Sequence, residues 1–247
     1  MSYLSAPPRV SQIDVVDQVG RAYRAVFDHV RLVVEMALLP YLIVLAVELV
    51  SLLFVHGGTP GRIAAALIHA LALLLFGAVF LVRWHRFVLL GETVGGELLP
   101  PGWREYIVAV VKVGALVFAG WIVLAGLALL PPFFVTVSLS AAGGVALTLA
   151  ALRVSLIFPA AAIGQPIGLR TAWDWITGNF WRLFACAFAC YFPFVVVQML
   201  VGVLASAFPS LVWVVFEATR LAASFAGAAV VAALLSHLYR DLGPEAA

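Results

Sequence analysis

The sequence predicts an all-α membrane protein in one integral membrane domain, with six transmembrane helices and two amphipathic helices at the membrane interface. Its 247 residues are 65% hydrophobic and only 11% charged, whereas an average soluble domain is roughly 25% charged. The apolar runs reach the length of about 20 residues that a bilayer crossing requires. Lys and Arg gather at alternate ends of these runs, as loops on one side of a membrane do.

An amphipathic helix is predicted first, over residues 11–30. Ser11 followed by Asp14 is typical of a helix N-terminus. Apolar residues then recur at spacings of three and four from Val16 to Val30, with charged residues largely opposite. The basic-then-apolar pattern of a cleaved signal is missing here, so we expect the membrane runs to belong to the mature protein.

Glycine and proline divide the rest of the apolar sequence. Residues 56–61 predict the first turn, and the polar stretch 92–101 predicts the second. Pro131 and Pro132 end the third span, Pro159 ends the fourth, and Pro209 marks the last turn, because proline cannot continue a helix. The predicted spans are 32–55, 63–82, 107–130, 135–158, 180–205 and 211–238.

A second amphipathic helix is predicted over residues 168–178, between the fourth and fifth spans. Leu169, Ala172, Trp173 and Ile176 fall on one stripe of a helix. Gly178 suits a left-handed C-terminal cap. With an apolar stripe and a polar face, this segment is expected to lie in the membrane interface.

The same region and the end of the fourth span carry a further pattern, made by Arg153, Ser155, Leu156, Pro159, Ala160, Ala172, Trp173, Thr177, Gly178 and Asn179. This pattern resembles a group of bacterial integral membrane proteins, the YciC-like proteins and the membrane domain that accompanies some glycerophosphodiester phosphodiesterases. The resemblance covers roughly thirty residues, and motif matches of this kind are hypotheses. The phosphodiesterase members carry a separate catalytic domain that this chain lacks, so the resemblance implies a membrane module without that activity.

The cations predict the orientation. Of the 14 Lys and Arg residues, all but Arg62 and Arg220 lie at the end of the predicted bundle that holds both termini. The positive-inside rule then places both termini in the cytoplasm and the protein in the bacterial inner membrane. An Arg closes each pair of spans, at Arg83, Arg153 and Arg240. This indicates either three repeated helix hairpins or unrelated hairpins that obey the same rule.

Five polar side chains on four spans share the outer half of the predicted membrane region. Ionisable groups inside spans are costly and are candidates for function. Glu217 and Arg220 are three residues apart and can pair on one helix face, and Glu48 then needs His69 or Arg220. Three alternatives are open: a clasp between helices, a water-filled pocket for a proton, cation or small polar solute, or separate side chains that reach outward. The residues are Glu48, His69, Gln198, Glu217 and Arg220.

Two further patterns concern packing. Glu35 and Arg153 are expected at matched depth near the cytoplasmic side, as a structural pair or a site. Ser224, Ala228, Ala232 and Ser236 form a stripe of small residues that permits close helix approach, within the chain or between two copies.

Aromatic residues and cations at the cytoplasmic interface predict contacts with anionic lipid headgroups, as ordinary anchors or as a specific lipid site. Membrane lipids are thus the expected partners, with another membrane protein as a second possibility. No basic cluster suggests nucleic acid. The predicted headgroup contacts are Arg83, Arg86, Arg170, Arg182, Trp173, Trp175 and Trp181.

Patterns for chemistry are missing from the sequence. It has no nucleophile elbow, phosphate-binding glycine loop or metal-ligand spacing among its five histidines, so neither an enzyme nor a cofactor nor a metal is expected. Cys186 and Cys190 are expected to be small packing residues. The sequence favours a non-catalytic structural, partner-binding or lipid-binding membrane module linked to envelope homeostasis. The alternative is a small transporter or channel that uses the outer polar residues.

Overall fold

The computed structural model describes residues 12–55, 58–93, 97–127, 133–207 and 213–243. These residues form helices and turns, with no strand in any of the five ranges. The elements are α1 Val15–Asp28, α2 Val30–Val55, α3 Gly58–Ala72, a π-helical turn Leu73–Gly77, α4 Ala78–Leu90, α5 Trp103–Leu127, α6 Phe133–Arg153, α7 Ile157–Ala162, α8 Leu169–Trp175, α9 Phe180–Ala207 and α10 Trp213–Leu242.

Five helical runs in the described part of the chain are long and apolar enough to cross a membrane, which confirms the predicted all-α, multi-pass fold. The runs are Val30–Ser51, Gly58–Leu90, Trp103–Gly126, Phe180–Ala207 and Val214–Leu242. The remaining predicted span, 135–158, corresponds to α6, whose described apolar stretch Ser140–Arg153 is shorter. The 21 residues of α6 extend for about 30 Å at the usual helical rise.

Several predicted boundaries are wrong. The fourth span ends at Arg153, not at residue 158, and Pro159 lies in the first turns of α7, where no backbone donor is needed. The second span begins at Gly58, before the predicted start at residue 63, and runs through the π-turn to Leu90, where the sequence predicts the apolar span 63–82 and an amphipathic tail that continues it to Gly91. The turn residues 56 and 57, and the predicted ends at Ser11, 128–130 and 211–212, lie outside the described residues.

Helix α10 is the central helix of the described bundle. Its most apolar stretch is 67% buried, compared with 11–33% for the other four spans, and it packs against α9, α1, α4 and α2. Small residues let the neighbours approach, for example at Gly227, where a Cβ atom would lie 3.0 Å from the Tyr191 ring. Ala232 and Ser236 of the predicted stripe are buried inside the chain, as the internal-packing alternative requires.

Side chains from two neighbouring helices hydrogen-bond to the backbone of α10. The Trp84 indole donates to the Ala229 carbonyl at 2.8 Å, and the Tyr41 hydroxyl donates to the Ala218 carbonyl at 3.0 Å. A buried indole or phenol needs such a partner. These bonds fix α4 and α2 against the central helix.

Helix α1 is amphipathic as predicted, but its buried side packs on α9 and α10 of the same chain. Asp14 caps it and accepts from the backbone N–H groups of Val16 and Asp17 at 3.0 and 3.1 Å. Gln18 and Arg21 both donate to Asp241 at 2.6 Å. Hydrogen bonding to Asp241 raises the pKa of Arg21.

Tyr23 joins α1 to the interior of α9. Pro193 has no backbone N–H, so the carbonyl of Ala189 loses its helical donor. The Tyr23 hydroxyl lies 3.3 Å from that carbonyl and 3.2 Å from the carbonyl of Cys190, and donates to them. Burial raises the pKa of Tyr23, which keeps the phenol protonated as a donor.

Several residues of the stretch 153–179 contact one another. The Arg153 guanidinium lies 4.0 Å from the centre of the Trp173 ring and donates to the Thr177 hydroxyl at 3.2 Å. Gly178 adopts a φ of 88°, as predicted for a left-handed cap. Asn179 is buried, and its side chain accepts from the backbone N–H of Ile13 at 3.2 Å. Helix α8 itself is shorter than the predicted 168–178.

Gly102 marks a close approach of the chain to α7. Its φ is 82°, and a Cβ atom there would lie 2.3 Å from the Ala162 carbonyl oxygen. We expect Gly102→Ala to lower the free energy of unfolding by more than about 1 kcal/mol, because it adds a clash to the cost of a left-handed alanine. Thermal unfolding in detergent measures the loss.

Gly91→Ala is the matched control. Gly91 has a φ of 71° but no atom within 4 Å of an added Cβ, so it carries only the conformational cost. Equal losses in the two variants would contradict the close packing of Gly102 on α7.

Candidate functional site

Three of the five predicted outer polar residues form one ion cluster. The Arg220 Nε donates to Glu217 Oε2 at 2.6 Å along α10, and the Arg220 guanidinium also donates to Glu48 Oε1 on α2. The side chains of Glu48 and Glu217 are 14% and 21% exposed, and that of Arg220 is 37% exposed. Arg220 therefore bridges two spans, and of the two partners predicted for Glu48, His69 or Arg220, it is the one that binds.

His69 and Gln198 are less closely attached to this cluster. His69 is half-buried on α3 and lies within electrostatic range of Glu48, but it forms no ion pair with the described residues. The side-chain nitrogen of Gln198 is buried without a hydrogen-bond partner in the described ranges, as is Glu48 Oε2. The ion cluster thus consists of Glu48, Glu217 and Arg220, with two carboxylates sharing one guanidinium.

The predicted pair of Glu35 with Arg153 is wrong. Glu35 bonds to Arg31, four residues earlier on α2, at 2.8 Å, whereas Arg153 stacks on Trp173 and bonds to Thr177. Trp173 belongs to α8 and Thr177 lies two residues beyond its end. A prediction from depth along straight spans does not include such a segment.

Most of the predicted headgroup arginines hold the protein together. The Arg83 guanidinium donates to the Glu97 carbonyl at 2.6 Å. Arg86 binds both carboxylate oxygens of Glu92, at 2.7 and 2.8 Å. Arg182 donates to Gln12 Oε1 at 2.9 Å.

Three of the predicted headgroup contacts have exposed side chains. Arg170 is exposed, with only a 4.0 Å pair to Asp174. Trp181 is 70% and Trp173 is 39% exposed, while Trp175 packs on the Tyr239 ring. The predicted contact with anionic headgroups now rests on Arg170, Trp173 and Trp181.

A large cavity in the described structure lies elsewhere, between α4, α5, α6, α9 and α10. Its volume is about 770 Å³, and none of the five outer polar residues lines it. The lining is almost wholly apolar and contains no Lys, Arg, Asp or Glu. One edge is formed by Phe184, Phe188 and Phe192 of α9, whose side chains are 37–54% exposed. The cavity is therefore open along the side that would face lipid.

Two buried polar side chains line this cavity, His85 of α4 and Tyr106 of α5. The Ser236 hydroxyl donates to the Ala232 carbonyl at 2.9 Å, so it accepts from His85 Nδ1, which lies 2.8 Å away. His85 thus carries its proton on Nδ1, and Nε2 is an acceptor. Neither Nε2 nor the Tyr106 hydroxyl has a hydrogen-bond partner among the residues described.

Sequence reasoning missed both residues. His85 lies between Arg83 and Arg86, in a stretch whose sequence is typical of the solvated, amphipathic end of a span. Tyr106 is typical of an interfacial aromatic residue. The only sequence signal was Ser236, a polar member of the small-residue stripe. Cys186 and Cys190 are buried and unpaired, as predicted.

Comparison with protein families, curated proteins and solved structures finds no match to this chain.

A double-mutant cycle tests the clasp. We expect Arg220→Gln to lower the free energy of unfolding by about 1–3 kcal/mol, because two carboxylates lose their counter-charge. The loss stays below that of a fully buried pair, since Arg220 is 37% exposed. With Glu48→Gln in the same chain, the two losses should overlap by about 1 kcal/mol.

Denaturation in mixed micelles measures the cycle. Arg62→Gln, at an exposed position on α3, is the control and should stay within about 0.5 kcal/mol of the wild type. Strictly additive losses for Glu48 and Arg220 would argue against a direct ion pair.

Proposed function

We propose that this chain is a non-catalytic lipid-binding or partner-binding module of the bacterial inner membrane, linked to envelope homeostasis. The observation that carries the proposal is the apolar cavity of about 770 Å³ that opens beside the phenylalanines of α9. Cavities of 300–1,000 Å³ with a few polar groups are typical of small-molecule sites. Between membrane-spanning helices, the surrounding small molecules are lipids.

The engaged ion cluster supports a module over a transporter. The Arg220 guanidinium binds both Glu217 and Glu48, and the cavity does not reach these groups. In this proposal the cluster fixes the contact between α2 and α10, as polar groups between spans do.

The second candidate function is a small transporter or channel. It is favoured by Glu48 Oε2, which has no partner in the described part of the chain, and by the sharing of one guanidinium between two carboxylates. A proton or cation could bind there, with His69 nearby.

We also infer kinship with the YciC-like group and the related phosphodiesterase membrane domains. The support is that residues quoted for the resemblance contact one another, with Arg153 bound to Trp173 and Thr177. Phosphodiesterase activity is not part of this proposal.

Reconstitution distinguishes the two functions. The full chain is placed in vesicles of phosphatidylethanolamine and phosphatidylglycerol that contain a pH-sensitive dye, and a proton or potassium gradient is applied. We expect fluxes equal to those of empty vesicles for the wild type and for Glu48→Gln. A wild-type flux that Glu48→Gln abolishes, at an unchanged melting temperature, would refute the module and favour the transporter.

The proposed orientation places α8 in the cytoplasm and Arg62 on the outer side. We expect Arg170→Cys to react with a membrane-impermeant maleimide only in inside-out vesicles, because Arg170 is exposed at the basic end. Arg62→Cys is the matched control and should react only in right-side-out vesicles. Buried Cys186 and Cys190 should contribute little labelling, and a reversed pattern would refute the topology.

A further inference from the structure

We propose that the cavity binds one acylglycerol-type lipid, an uncharged lipid with a free hydroxyl beside an ester carbonyl, and that His85 and Tyr106 hold these two groups. The inference deepens the proposed function and rests on it, because it names the class of lipid that the cavity takes. The proposed occupant of the cavity is a lipid of the surrounding bilayer.

The length of the cavity fits an acyl chain of one leaflet. Its lining runs from Phe184 to Val195 on α9 and from Ser224 to Leu235 on α10, which is about 16 Å of helix in each case. A leaflet contributes about half of the roughly 30 Å hydrocarbon core. A single chain lying parallel to α9 and α10 would therefore extend through the cavity within its own leaflet.

The walls suit a flexible hydrocarbon chain. Phe184, Phe188 and Phe192 stack along α9, with ring centroids 6.2 and 4.9 Å apart, and they border the opening. On the opposite wall, the π-helical turn contributes Leu73 and Gly77. A π-turn interrupts the regular helical ladder and occurs frequently at functional sites.

The polar groups select the head of the lipid. Tyr106 offers a hydroxyl donor, and His85 Nε2 offers an acceptor because the imidazole proton is held on Nδ1 by Ser236. Ring centroids of the two residues are 5.9 Å apart, so one small group can meet both. A ligand with an adjacent acceptor and donor, such as an ester carbonyl and a glycerol hydroxyl, satisfies both side chains.

Two other lipid classes fit this polar pair less well. A quinone head has carbonyl acceptors only and leaves His85 Nε2 without a donor. A phospholipid drawn in to the depth of His85 would bring an ionised phosphate into a lining that has no Lys or Arg, and an unpaired charge there is unfavourable. Of the three lipid classes, the uncharged ester with a free hydroxyl is the one that offers both a donor to His85 Nε2 and an acceptor to the Tyr106 hydroxyl.

Binding of a photoreactive diacylglycerol to the purified full chain tests the proposal, with dioleoylglycerol, triolein and ubiquinone as competitors. We expect saturable labelling that dioleoylglycerol suppresses and that triolein, which lacks the hydroxyl, and ubiquinone suppress at least fivefold less well. Tyr106→Phe removes only the donor and should weaken binding about fivefold, the equivalent of one net hydrogen bond of about 1 kcal/mol. His85→Phe should weaken it similarly.

Control variants distinguish the acylglycerol proposal from the broader proposal that the cavity binds lipid. Tyr239→Phe makes the same change at a half-buried tyrosine outside the cavity and should leave binding unchanged. Ala228→Trp should abolish binding by filling the cavity, with Leu81→Trp as the replacement if the first variant does not fold.

Three outcomes overturn different statements. Equal competition by dioleoylglycerol and triolein, with no effect of Tyr106→Phe, overturns the assignment of the head group but leaves the cavity as a lipid site. Undiminished labelling of a folded cavity-filling variant overturns both the assignment and the lipid-binding function. Stronger competition by ubiquinone than by dioleoylglycerol refutes the acylglycerol class.

Discussion

Close packing on helix α10 is the constraint on which the rest of the structure depends. In a bilayer the hydrophobic effect does not drive helices together, so association relies on van der Waals contact and on hydrogen bonds between helices. α10 provides the contact through small residues such as Gly227, Ala229 and Ala233, which are buried. It provides hydrogen-bond acceptors through backbone carbonyls that receive Trp84 and Tyr41. Helices α1, α2, α4 and α9 all pack on this one helix.

The basic end of the bundle is closed by short pieces rather than by another span. α7 is buried against α5, α4 and α10, and the Arg153–Trp173 stack ties the following segment to the end of α6. α5 and α6 pack on each other, with Leu147 filling the space above Gly120 and Leu124 filling the space above Gly143. α5 also packs on α7 and α4, and the cavity lies between these helices and the α9–α10 pair.

The polar groups of the interior divide into those that are paired and those that are not. Arg220 binds the carboxylates of Glu48 and Glu217, and Gln18 and Arg21 bind Asp241, and these contacts hold helices together. His85 and Tyr106 are buried beside an open apolar space with bonding capacity to spare. Both side chains line the wall of the cavity, and the proposed ligand would use this remaining hydrogen-bonding capacity.

The sequence by itself determined the all-α multi-pass fold, because apolar runs of spanning length admit only helices in a bilayer. It also determined the Glu217–Arg220 pair and the cap at Gly178, which depend on neighbours within one turn of the chain. It predicted neither the partner of Arg153 nor the burial of His85, since these depend on how α7 and α8 fold back and on which face α4 turns to α10. Only the tertiary structure showed the cavity, because a gap between helices depends on how the helices pack. The periodicity of residues along a single helix does not predict such a gap.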